Sequence, residues 1–140
     1  MSSLTLSWVG KVPGELDWAS PVVAGGSVYV TAGSGGLAVF PADGCGQDFS
    51  NAPESSPVVA NGVVYVGKGP ASGFPVDSGV FTYDARGCGQ KTCDPLGFAQ
   101  TGPEQFYLSS TPAIVNGRVY MGSTDTPTNQ AGLYVFALPG

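Results

Sequence analysis

Histidine is absent from this 140-residue chain. The commonest general base and the commonest side-chain metal ligand are therefore both missing. Charge is scarce as well: Lys and Arg number 5, Asp and Glu 10, for a net charge of −5. No basic patch is available for a phosphate backbone or an anionic bilayer, which argues against nucleic acid and membrane as partners. The longest apolar runs are about five residues, far short of a membrane span. Met1-Ser2-Ser3-Leu4 has neither a basic stretch nor a sustained apolar one, so no signal peptide is visible. Nucleophile elbows, phosphate loops and dinucleotide fingerprints are missing. No window keeps a 3.6-residue apolar period, and Pro or Gly interrupts nearly everywhere, so no helix is expected.

What the chain does have is recurrence. Ser20-Pro21-Val22-Val23-Ala24-Gly25-Gly26-Ser27-Val28-Tyr29-Val30 returns as Ser56-Pro57-Val58-Val59-Ala60-Asn61-Gly62-Val63-Val64-Tyr65-Val66-Gly67. It returns again as Thr111-Pro112-Ala113-Ile114-Val115-Asn116-Gly117-Arg118-Val119-Tyr120-Met121-Gly122. Each copy is two β-branched runs around Gly-Gly or Asn-Gly, the dipeptides that reach positive φ cheaply and so close a two-residue hairpin. A third strand follows each hairpin: Gly36-Leu37-Ala38-Val39-Phe40, Gly79-Val80-Phe81-Thr82-Tyr83 and Gly132-Leu133-Tyr134-Val135-Phe136. The connections at 32–35, 68–78 and 123–131 differ in length, which maps insertions to one face of a repeat. A fourth strand is expected at Leu96–Gln100 and a stunted one at Asp48–Ser50, with none in the third repeat. One strand is left over: Leu4-Thr5-Leu6-Ser7-Trp8-Val9-Gly10, alternating with a period of two.

Four antiparallel strands repeating at roughly 40 residues read as blades of a β-propeller. The hairpin sequence, followed by Gly79-Val80-Phe81-Thr82-Tyr83-Asp84-Ala85, resembles the repeat of the PQQ-like (quinoprotein-type) β-propeller superfamily. Gly87-Cys88-Gly89-Gln90-Lys91-Thr92-Cys93-Asp94-Pro95-Leu96 is similar to a variant found in secreted bacterial propellers. The expected fold is all-β, with three four-stranded blades at about 18–51, 54–102 and 109–140. Propellers close with about four to eight blades. Three blades leave bare sheet edges, which are templates for another chain. The expectation is therefore a homodimer forming a six-bladed ring, with residues 4–10 supplying a strand to the neighbour's last blade.

Candidate chemistry is thin. Cys88 and Cys93 are spaced for a small-loop disulfide if the backbone turns back, with free thiols and a metal pair as rivals. A structural zinc needs four ligands, and only Cys45 remains to help. Cys45 takes the place of Cys88 in the first repeat, but Ser50 stands where its partner would be. Trp8 and Trp18 are read as plugs between blades, with ligand platforms as the alternative. Tyr29, Tyr65 and Tyr120 recur at one register, and Phe40, Tyr83 and Phe136 at another. A single active site does not repeat threefold, so all six are read as blade packing. The carboxylates sit beside Gly and Pro, where Asp shapes turns. Asp125-Thr126-Pro127-Thr128-Asn129 offers oxygen ligands without a diagnostic calcium spacing.

The resemblance also implies what an enzyme of this superfamily would need. Quinoprotein dehydrogenases carry pyrroloquinoline quinone on the axis of an eight-bladed ring, with a disulfide of adjacent cysteines, a calcium site and a Trp beneath the quinone. No two cysteines here are adjacent, so neither PQQ nor calcium is expected and no catalytic residue is assigned. The expected function is non-catalytic: self-assembly, or binding of a protein or small molecule at the face bearing the loops 68–78 and 123–131. The alternative is a fragment of a secreted quinoprotein-like oxidoreductase.

Overall fold

A computed structural model describes residues 7, 9, 11–12, 20–32, 36–42, 47–49, 55–69, 79–90, 92–100, 106–107, 110–125 and 132–138. They are all-β: thirteen strands in three sheets, with no helix among the described residues. The first sheet contains β1 (Val22–Ala24), β2 (Ser27–Ala32), β3 (Gly36–Pro41), β4 (Gln47–Phe49) and β8 (Thr92–Cys93), in the order β1-β2-β3-β4-β8. The second contains β5 (Val58–Ala60), β6 (Val63–Lys68), β7 (Gly79–Asp84) and β9 (Gly97–Gln100), in that order. In the third, β12 (Arg118–Asp125) lies between β13 (Gly132–Ala137) on one side and β10 (Phe106–Tyr107) with β11 (Ala113–Val115) on the other.

The hairpins close as the dipeptides require. Ala24 pairs Ser27, Ala60 pairs Val63 and Val115 pairs Arg118, each across two residues. Both residues of each turn have positive φ: Gly25 and Gly26 at 56° and 79°, Asn61 and Gly62 at 51° and 76°, Asn116 and Gly117 at 50° and 70°. That is the type I′ geometry whose twist matches the flanking strands. Each third strand then ends in one and the same backbone bond. The amides of Ala42, Ala85 and Leu138 donate to the carbonyls of Gly26, Gly62 and Gly117 at 2.8, 2.9 and 2.8 Å.

Two local features depart from the reading of the sequence. Thr92–Cys93 forms a strand of its own, parallel to β4, with Thr92 opposite Asp48 and Cys93 opposite Phe49. The first sheet therefore has five strands, and its outer edge is covered by a piece of chain from the second repeat. Burial accounts for it: Cys93 is 3% exposed and belongs to the core between the first two sheets. The second departure is β10, which extends the line of β11 along the lengthened β12. Between these two pairings, five residues on the β10–β11 side face three on β12, so the ladder is interrupted. The expected strand 4–10 lies largely outside the described residues. Only Ser7 and Val9 of that stretch are described; neither is in a strand, and Val9 is exposed.

The sheets stack face to face with the second in the middle. Period-two alternation divides its residues. Val64, Val66, Phe81 and Tyr83 join Tyr29, Leu37 and Val39 of the first sheet in one core. Tyr65 and Val80 join Val119 and Met121 of the third in another, flanked by Ile114, Tyr134, Phe136 and Leu138. The innermost strands β1 and β11 both adjoin β5.

Candidate interface at the open face of the third sheet

The first and second sheets each turn one face toward the sheet that follows, here termed the leading face, and the third has the equivalent face. Its positions follow from the strand registers. Tyr29, Tyr65 and Tyr120 stand opposite Val39, Thr82 and Val135. Two residues on, Thr31, Gly67 and Gly122 stand opposite Leu37, Val80 and Leu133. On the first and second sheets these positions are covered: Leu37 is 0% exposed and Val80 2%. On the third sheet, Leu133 is 70% exposed, and Val135 and Val115 are 47% and 52% exposed. Tyr29 and Tyr65 are buried, whereas Tyr120 is half-buried. The registers match, and among the described residues only the last set has no sheet in front of it.

The tyrosines show what the leading face does when covered. Tyr29 crosses to the second sheet, and its hydroxyl donates to the Ala85 carbonyl at 2.6 Å. Burial pushes the Tyr29 phenol above its ordinary pKa; a hydrogen bond with Ser27 pulls it back and the charge of Asp84 raises it further. Burial also raises the Tyr65 phenol.

The opposite end of the stack is partly open. On the trailing face of the first sheet, Val23 is 67% exposed, and Val28 and Val30 are half-buried. The matching Val59 and Ile114 are half-buried against the preceding sheet. Ala38 and Phe40, farther out on that face, are already covered. The free area lies over the inner strands β1 and β2.

Prolines shape the inner edges. Beside Pro57 the backbone ladder of β5 and β6 stops at Val58 and Tyr65. The Gly67 amide donates instead to Ser55 Oγ at 2.7 Å, and the Ser55 amide returns a 3.3 Å bond to the Gly67 carbonyl. Gly122 repeats this with Ser110 Oγ at 2.7 Å, beside Pro112. Ser56 Oγ accepts the Ser20 amide at 2.9 Å and so ties the inner ends of the first two sheets together.

Of the residues singled out as blade packing, Tyr29, Phe40, Tyr65 and Tyr83 are buried, while Tyr120 and Phe136 are half-buried. Trp8, Trp18 and Cys45 lie outside the described residues, as do 70–78 and 126–131 of the two long connections. Cys88 and Cys93 are joined by a disulfide. Among the described residues, no three of His, Cys, Asp and Glu gather as a metal site, and no helix is long and apolar enough to cross a membrane. A cleft of about 330 Å³ between the second and third sheets is walled by Val80, Leu96, Phe98, Val119, Phe136 and Leu138. Phe98 stacks on Phe81 at 4.4 Å between centroids, and the buried Lys68 places Nζ 5.6 Å from the Phe81 ring.

Attention to recurring aromatics overlooked Leu133, Val135, Val115 and Val23. A signal existed: Leu133-Tyr134-Val135-Phe136 is apolar at every position, the pattern of a strand covered on both faces. No protein-family model matches the chain, and no curated protein matches it.

Proposed function

We propose that the chain is a non-catalytic, three-bladed segment of a PQQ-like β-propeller whose property is self-association, two copies completing a six-bladed ring. One observation carries the reading: Leu133 is 70% exposed at the register where Leu37 and Val80 are 0% and 2% exposed. A leading face that is buried twice and bare the third time is built for a further sheet of the same kind. Three apolar side chains left in water at Val115, Leu133 and Val135 form a patch of the sort that marks interaction surfaces. The adjoining of β1, β5 and β11 supports a common axis for the sheets. The alternating segment 4–10 fits the role of a strand lent to the partner's third sheet, where β13 pairs only with β12 among the described residues.

Native mass spectrometry tests this directly. A species of twice the 14.1 kDa chain mass is expected. A monomer with full β-type circular dichroism, persisting as concentration rises, would remove the proposal.

A further inference from the structure

We infer that the contact between copies is heterologous. The inner half of the third sheet's leading face seats on the inner half of the first sheet's trailing face in a second copy, and Tyr120 hydrogen-bonds to the second copy's Ala42 carbonyl. This inference rests on the self-association reading and names the surfaces it uses.

The argument is an equivalence of registers. Tyr29 donates to Ala85, the residue whose amide is bonded to Gly62 at the end of β7. Ala42 holds that place at the end of β3, its amide bonded to Gly26. Tyr120 holds the place of Tyr29, opposite Val135 as Tyr29 is opposite Val39. Among the described residues Tyr65 makes no matching bond to Leu138, so the pattern is that of Tyr29: setting the first sheet of another copy before the third sheet in the same way brings the Tyr120 hydroxyl to the Ala42 carbonyl. A carbonyl oxygen accepts two hydrogen bonds, so this contact does not require Ala42 to be otherwise unbonded.

Exposure locates the same surfaces independently. Val115 on β11 and Val23 on β1 are 52% and 67% exposed. Their counterparts Ala24 and Ala60, and Val59 and Ile114, are half-buried where two sheets meet. Because Ala38 and Phe40 are already covered, the second copy is received over β1 and β2 rather than across the whole face. A surface patch meeting a different patch on its partner is a head-to-tail contact, and with two copies it closes by being used twice.

Lysine substitutions at two well-exposed positions separate the alternatives, since neither site is needed for the monomer's core. Leu133→Lys spoils the leading face, and Val23→Lys spoils the trailing face. Each variant alone is expected to run as a folded monomer at concentrations where the parent is a dimer. An equal mixture is expected to associate more tightly than either variant alone, though less than the parent, because the leading face of the Val23→Lys chain and the trailing face of the Leu133→Lys chain make one intact contact of the two. Tyr120→Phe, which removes one hydrogen bond per contact, is expected to weaken dimerisation by roughly tenfold.

If Val23→Lys dimerises like the parent while Leu133→Lys does not, the third sheet pairs with itself, and the head-to-tail inference falls while self-association stands. A mixture that associates no more tightly than either variant alone overturns it too. A parent chain that is itself monomeric overturns both readings. Circular dichroism of each variant establishes that it is folded.

Discussion

Ser55 offers a sharp test of how the inner strands are held. Its side chain is buried, 1% exposed, and its Oγ takes the Gly67 amide at 2.7 Å. In Ser55→Ala that amide loses its acceptor inside the protein, beyond the last paired residues of β5 and β6. Leaving a buried donor unsatisfied costs about 1–3 kcal/mol. For a chain of this length that corresponds to a fall in melting temperature of roughly 3–10 °C. Calorimetry at one fixed protein concentration is the assay, because association would make the midpoint concentration-dependent. A single Ser55→Ala variant melting within about 1 °C of the parent would refute the assignment of that hydroxyl as the amide's essential acceptor.

Further outcomes follow from the same contacts. Tyr29→Phe removes the 2.6 Å bond to Ala85 and should destabilise by about 1 kcal/mol in urea unfolding, with an unchanged m-value. Reducing Cys88–Cys93, which closes a loop of sequence separation 5, should cost about 2 kcal/mol on the loop-entropy relation. Because Cys93 lies in the core, reduction should also speed hydrogen exchange at β8 and β4. Tyr29 and Tyr65 have phenol pKa values raised above 10.0 by burial. Stability from the neutral phenols is therefore complete below pH about 10 and is lost as pH climbs through the higher folded values. Unfolding followed by tyrosinate absorbance should begin in that alkaline window, and a chain whose phenols titrate freely before unfolding would contradict it.

Local structure was legible because it rests on interactions between residues close in sequence. Asn-Gly and Gly-Gly supply the positive φ that a two-residue turn needs, so three hairpins could be placed with their registers. The fourth strands expected at Leu96–Gln100 and Asp48–Ser50 lie close to the observed β9 and β4. The parallel strand at Thr92–Cys93 was not legible. Its partner is Phe49, more than forty positions away, and two residues carry no periodicity. The same holds for β10, whose pairing depends on how far β12 extends.

The open face divides in the same way. From the residues alone one can say that Leu133, Tyr134, Val135 and Phe136 are apolar on both sides of the strand, and that charge, histidine and helical periodicity are lacking. Which side is covered is a matter of sheet order: Tyr134 and Phe136 meet the second sheet, while Leu133 and Val135 meet solvent. Pattern states what a strand can bury, since side-chain polarity is a property of each residue. Only packing states what it does bury, since that depends on which other sheet arrives in front of it.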